Sequence, residues 1–369
     1  MSHPDIVVIG GGIIGAAVAR SLALAGLTVE IIDSGTEQGI ATQASAGMLA
    51  PLAETDTEDP VLGISVRGRD IYTELAPQLE EETGVDIGLW CEGIMKVAFS
   101  EADEDATRSL IAWQRQQGLN SEWLVPGELR ERCPGISDEV RGALLAPEDG
   151  ALDPLSLLEA LLVSAANLGT RITRGVRAER LQIEEGHVTG VETDRGAHQA
   201  GAVVLAAGAW SGRLGGLPRP LSVEPVRGQM LAFEWPADEP AAIVYTGKGY
   251  ALKRGAEMVV GSTMEHTGYD ASVTPDGIEE VTRTAAQLYP AVAEATLRRS
   301  WAGLRPATPD GRPIVGKDPD VGGLWYATGH GRNGILLAAI TGEIIANLLT
   351  EDSLEFDLGP LDPGRFWQS

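Results

Sequence analysis

Asp5-Ile-Val-Val-Ile-Gly-Gly-Gly-Ile-Ile-Gly15 is the stretch that decides the fold of this 369-residue chain. Its apolar start is the pattern of a short strand buried on both faces. Gly10, Gly12 and Gly15 then follow in G-x-G-x-x-G spacing. Ile14, Val18 and Leu22 recur four apart, which predicts a helix over 13–25 with Gly26 as its stop. Leu27 to Ile32 reads as a second buried strand, closed by Asp33. Strand, glycines, helix, strand and acid in this order predict a dinucleotide-binding unit. Gly10 permits the tight turn, Gly12 lets backbone approach a pyrophosphate, and Gly15 lets helix and strand pack closely. Unpaired N–H groups at the helix start hold phosphate charge, and Asp33 is placed to accept from a ribose 2′-hydroxyl. An acid there suits FAD or NAD and disfavours a 2′-phosphate, so this unit leaves the choice open.

The length exceeds the usual size of one core and predicts two domains. No run of 18 or more apolar residues is present, which argues against a membrane span. The first strand starts almost at once, predicting a cytoplasmic chain without a cleavable leader. A formal charge of −25 excludes nucleic acid as a partner, because phosphate backbones need a basic surface. The acidic stretches 54–59 and 101–105 read as solvated loop or helix faces rather than metal sites. Cys91 and Cys133 lack metal or disulfide-framework spacing and read as free, partly buried thiols. In so acidic a chain, individual arginines become the candidates for holding anionic ligands.

Further along, 59–83 and 102–118 read as helices with a strand at 93–99 between them. Asp153-Pro154 caps an apolar helix running to Leu168. Residues 176–192 suggest a hairpin-like insertion turning at Glu185-Gly186. Ala202 to Trp210 is another buried strand running into glycine, and its return to the first sheet implies a nucleotide domain built from discontinuous segments. Short strands at 229–235, 243–246, 250–253 and 258–262, then a helix at 276–289, predict an antiparallel sheet with helices. Trp325 to Ala327 reads as a strand, and 329–349 as a glycine-rich turn entering a long apolar helix.

Three segments together resemble the FAD-dependent amine and amino acid oxidases of the D-amino acid oxidase superfamily, and within it the bacterial glycine oxidases of thiamine biosynthesis. They are Gly10 to Asp33, the small-residue stretch Ala41 to Ala50, and the pair Trp301 to Pro313 with Gly329 to Ile335. The resemblance spans essentially the whole chain. It implies an α/β fold (α+β overall): a Rossmann-like FAD-binding domain of the glutathione-reductase type over 1–84, 141–222 and 302–369. An antiparallel-sheet substrate domain would occupy 85–140 and 223–301. Non-covalent FAD is expected, because Cys91 and Cys133 lie far upstream of where related sarcosine oxidases attach theirs. The implied cofactor contacts are Gly10, Gly12, Ile13, Ile14, Gly15, Asp33, Ser34, Ala41, Thr42, Ala46, Gly47, Met48 and Val176. His330, Gly331, Arg332, Asn333, Gly334 and Ile335 complete them, with His330 a flavin contact or turn residue rather than a base.

Glycines at 329, 331 and 334 would let backbone come close to a planar ring, with the following helix offering its positive end. Such an end stabilises the negative charge that develops at the N1–C2 edge of reduced flavin. Arg305, before Pro306, has the chemistry to grip a substrate carboxylate through two parallel hydrogen bonds. By resemblance Arg305 is that clamp, Tyr250 its hydroxyl partner, Met264 a wall of the pocket and Arg332 a neighbour of both substrate and flavin. Lys248 stands where these oxidases are expected to carry a histidine. The expected activity is oxidation of glycine, sarcosine or small D-amino acids to an imine and then an α-keto acid and ammonia. No strong general base is required if the amine binds deprotonated. Oxygen would be the acceptor, giving hydrogen peroxide, in a dimer or tetramer. The competing expectation is a D-amino acid dehydrogenase passing electrons to a quinone, which shares the Arg-Pro-x-Thr-Pro-Asp-Gly turn at 305–311.

Overall fold

The computed structural model describes residues 3–35, 38–55, 58–235 and 242–367. Strand Ile6–Ile9 lies inside a six-stranded sheet, between Val29–Asp33 on one side and Ala202–Leu205 on the other, all parallel. Arg171–Arg174 extends the sheet beyond Val29–Asp33. Leu324–Thr328 extends it beyond Ala202–Leu205, and Ile314–Lys317 closes that edge antiparallel. The strand far away in sequence thus returns beside the first, as its apolar run predicts.

Side-chain alternation assigns the two faces. Ile6, Val8 and Ile31 pack under helices Ile13–Leu24, Leu62–Thr83, Pro154–Asn167 and Gly334–Thr350. Val7, Ile9 and Ile32 face the opposite way, against a three-stranded antiparallel sheet formed by 178–184, 187–193 and 196–199. The expected hairpin at 176–192 is therefore a three-stranded meander. Its third strand, Gly196–Gln199, has only one partially buried residue, so apolar pattern gave no sign of it.

A second sheet has eight strands, in the order 297–307, 224–234, 257–261, 249–254, 243–246, 94–98, 142–146 and 122–124. All of its pairings are antiparallel except 243–246 with 94–98. Helix Pro275–Leu288 covers one face, while Ile94, Leu144, Met230, Tyr245 and Leu252 belong to the core on the other. Two expected domain limits cut through this sheet. Gly142–Ala146 pairs with Ile94–Ala98, so it belongs with the second sheet and not after a break at 141. Leu297–Ala307 runs unbroken through 301 and 302 because it stays paired with Glu224–Glu234 to its end.

Other expectations shift locally. The run at 202–210 leaves the sheet after Leu205, because Gly208 takes a left-handed φ of 54° and a 3₁₀ turn follows. The helix expected from 59 begins at Leu62. Cys91 is exposed and Cys133 buried, rather than both half-buried, and both are free.

Gly10 and Gly15 are held by contact. Gly10 has φ 109°, and a Cβ there would lie 2.5 Å from the Ala206 carbonyl oxygen. A Cβ on Gly15 would run into the carbonyl oxygen of Gly10. Gly15→Ala should therefore destabilise the protein by about 1–3 kcal/mol, the usual cost of overpacking, and weaken cofactor retention. Chemical denaturation together with the flavin content of purified protein checks this; unchanged values for both would refute the close-contact argument.

Candidate active site

One cavity of about 760 Å³ runs from the first strand–helix turn to the second sheet, a volume typical of sites that hold a cofactor or sizeable ligand. At one end lie Gly10, Gly12, Ile13 and Ile14, with Asp33, Ser34 and Val176 beside them. Helix Ile13–Leu24 has no acidic residue in its first turn, and Gly12 at its N-cap has no side chain to offer, so its positive end faces the cavity. A Cβ on Gly12 would meet only the Thr42 hydroxyl, at 3.6 Å, which leaves this approach open. The Ile13 N–H donates to Thr42 Oγ1 at 3.2 Å, and the Gly11 N–H to Asp33 Oδ2 at 2.6 Å. Asp33 thus spends one carboxylate oxygen on its own turn. Val176 reaches the cavity because its N–H donates to the Asp33 carbonyl at 3.1 Å. Gly15 lines no part of the cavity; it serves the strand–helix contact described above.

Ala41, Thr42, Ala46, Gly47 and Met48 form a side wall. That wall is knitted to the second sheet through strand Leu297–Ala307. Leu304 N–H donates to the Gly39 carbonyl at 2.8 Å, and Trp301 Nε1 to the Ala44 carbonyl at 3.2 Å. A Cβ on Gly303 would overlap that of Ala44, so only glycine allows this approach.

Beyond the wall sit His330, Gly331, Arg332, Gly334 and Ile335, where helix Gly334–Thr350 begins, again without an acid in its first turn. Tyr72 donates to the Ile335 carbonyl at 2.5 Å, and Gly331 N–H to the Pro306 carbonyl at 2.8 Å. Asn333 precedes the helix but does not line the cavity; its N–H donates to the His330 carbonyl at 2.9 Å. His330 is buried and bonds Thr341 through Nε2 at 3.0 Å, while its Nδ1 has no partner among the described residues. Burial pulls its pKa down to about 3, so the ring stays neutral.

Arg305 and Tyr250 converge at this end. Arg305 donates to the Thr263 carbonyl at 3.2 Å and to the Ser262 hydroxyl, both neutral acceptors, and burial lowers its pKa. Any Cβ at Gly228 would collide with its guanidinium. Burial pushes Tyr250 up to about 12, and its hydroxyl donates to the weak acceptor Met230 Sδ at 3.3 Å. Met264 lines the mouth and is 62% exposed, a rim rather than an enclosed wall. Lys248 also lines the cavity and is exposed.

Sequence reading missed Glu54, Tyr245, Ser262 and Gly228. Glu54 sits in the acidic run read as a solvated face, of which residues 56 and 57 lie outside the described residues. Instead its carboxylate accepts from Arg332 Nε at 2.6 Å and is only 16% exposed. Arg332 Nη2 donates to Tyr245 Oη at 2.8 Å. Burial lowers the Arg332 pKa, but the Glu54 charge and Tyr245 outweigh it and the net shift is upward. The strand alternation that buries Ile243 beside Tyr245 was the one available signal for Tyr245.

These features fit a bound FAD. Two helix ends without an acid in their first turn and an open glycine approach border one cavity, and His330 in its lining keeps a buried imidazole nitrogen without a partner among the described residues. Among the described residues no group of His, Cys, Asp or Glu is placed to hold a metal ion, and no helix is long and apolar enough to cross a membrane.

The family model described as FAD dependent oxidoreductase matches residues 5–348. A glycine oxidase of Geobacillus kaustophilus is 35% identical over 99% of this chain and 98% of its own length. Its namesake crystal structure superposes with a TM-score of 0.94 at 33% identity, covering 99% of both chains. A bifunctional ThiO/ThiG protein of a Nostoc species is 37% identical over 94% of this chain, which spans 53% of that relative.

The neutral His330 predicts a pH dependence. Its folded pKa near 3 lies below the ordinary 6.5, so as pH falls through 6.5 the unfolded chain takes a proton that the folded one refuses. Stability is then lost between pH 6.5 and 3, by about 2 kcal/mol from pH 7 to pH 5. Urea unfolding of wild type and His330→Gln at both pH values should show a loss smaller by that amount in the variant. Equal losses would refute it.

Proposed function

This chain belongs to the FAD dependent oxidoreductase family, and on that premise we propose that it oxidises glycine and other small amino acids to their imines. The observation that carries this reading is the continuity of one cavity from the Gly10–Asp33 cradle to Arg305 and Tyr250. The cradle suits a pyrophosphate and ribose, and the wall at 41–48 and the turn at 329–335 suit a planar ring. FAD held there would supply the two-electron acceptor for the hydride of Cα, with oxygen as terminal acceptor and hydrogen peroxide as the by-product.

The chain's own part is to hold and orient. Arg305 exchanges its neutral Ser262 and Thr263 acceptors for the substrate carboxylate, which matches a guanidinium's paired donors. Tyr250, kept protonated, turns its hydroxyl from a sulfur to the same carboxylate. The two contacts fix which face of Cα meets the ring, and orientation supplies much of the rate. The positive end of helix Gly334–Thr350 stabilises negative charge that accumulates beside it during hydride transfer. Among the described residues at this end, the carboxylate and the imidazole are both occupied: Glu54 is engaged by Arg332, and His330 is neutral and bonded to Thr341. The amine therefore sheds its proton to solvent before reaction. Water hydrolyses the product to glyoxylate and ammonia when glycine is the substrate.

Likeness to the glycine oxidases and to the ThiO/ThiG protein supports a role in making the thiamine thiazole. A cytoplasmic homo-oligomer is part of the same reading. Arg305→Ala should keep its flavin yet lose about 10–100-fold in kcat/KM for glycine, the worth of one or two charge-assisted bonds. A peroxide-coupled assay over glycine, sarcosine, D-alanine and D-proline checks this. Unchanged turnover in the variant, or turnover only with quinones or dyes, would overturn the reading.

A further inference from the structure

The turn at 50–55 delivers one acid to an otherwise cationic end of the cavity, and it is rigidly built. Asp149, fully buried, accepts the N–H groups of Leu52 and Ala53 on one oxygen, at 3.0 and 2.9 Å. Its other oxygen takes Arg69 Nη1 at 3.0 Å. Gln114 Nε2 donates to the Leu52 carbonyl at 2.9 Å, and Glu54 N–H closes the turn on the Ala50 carbonyl at 3.1 Å. Three separate elements thus aim Glu54 at Arg332. Tyr245 holds the same guanidinium from the opposite sheet.

The charges then add simply. Arg305 and Arg332 contribute two positive charges and Glu54 one negative, so the cluster carries one positive charge, with Arg305 half-buried and the Arg332 side chain 46% exposed. Lys248 also borders the cavity and is exposed like Arg332, but its charge acts on Asp103, which lies outside the cavity lining. One ligand carboxylate on Arg305 neutralises the cluster. A second acidic group would find Arg332 already paired and would meet the Glu54 carboxylate. Selectivity of this kind comes from a repulsive element as much as from the attractive one.

We infer that Glu54 is a specificity-determining residue which restricts the site to ligands bearing a single acidic group, by occupying Arg332 and repelling a second anion. This rests on the reading of Arg305 as the carboxylate clamp. Removing the Glu54 charge would convert the same pocket into one for diacids, with Arg332 as the second anchor.

The test uses the flavin-bound enzyme and two ligands that cannot be oxidised as amino acids, acetate and malonate, titrated by perturbation of the flavin spectrum. Wild type should bind acetate more tightly than malonate. In E54Q and in E54A the malonate-to-acetate affinity ratio should rise by about tenfold or more, the order of one charge-assisted bond. That gain should vanish in E54Q combined with R332Q. An unchanged ratio in E54Q and E54A, a gain that survives R332Q, or a wild type that already prefers malonate would each overturn the inference. The wild-type preference needs no variant to fold. Failure of the proposed activity shows separately, as absence of peroxide with every amino acid of the panel, while the ligand ratios remain measurable.

Discussion

Two backbone hydrogen bonds made by one strand hold the site together. Leu304 N–H reaches the Gly39 carbonyl, and the Pro306 carbonyl accepts Gly331 N–H. Arg305 lies between them, on a strand that is itself paired along its length with Glu224–Glu234. The side wall of the cavity, the turn that starts helix Gly334–Thr350 and the guanidinium are therefore fixed to the same few residues of backbone. Reacting groups need placement to within a fraction of an ångström. Sheet-borne backbone achieves this better than a free loop.

Electrostatics at the two ends of the cavity differ in kind. At the cradle, peptide dipoles face the ligand, with no lysine or arginine in the first turn of helix Ile13–Leu24, and Arg177 beside Val176 also lines the cavity. At the far end charge comes from guanidinium groups whose count is trimmed by Glu54. A protein with a net charge of −25 repels anions at long range. Its anionic ligands are met instead by fixed donors inside a partly buried space, where screening by water is weak and each donor counts for more.

The nucleotide unit was legible because its signal is local. Gly10, Gly15 and Asp33 act within some twenty residues of one another, and the buried strands around them are continuous apolar runs. Four strands of the six-stranded sheet, including the returning one at 202–205, and the antiparallel character of the second sheet followed from such runs; the edge strands Arg171–Arg174 and Ile314–Lys317 did not. Arg305, Tyr250 and Arg332 were named through resemblance, and all three line the same cavity. Glu54 was misread because its neighbours are acidic and nothing local reveals that Arg332, 278 residues away, pairs with it. Gly228 and Ser262 were missed for a like reason: their importance is contact with Arg305 across the sheet.

Sequence alone thus determined whatever depends on short-range periodicity and steric need: buried strands, a helix that starts with an open positive end, and glycines where a Cβ cannot fit. It also determined that anion binding must be local, since the overall charge opposes it. Tertiary structure decided which distant groups meet. The three-stranded meander, the sheet membership of 142–146, the neutral state of His330 and the pairing of Glu54 with Arg332 all arise from packing. Burial and proximity are properties of the folded chain, and they change the charge and reach of a side chain without leaving a mark on its neighbours in sequence.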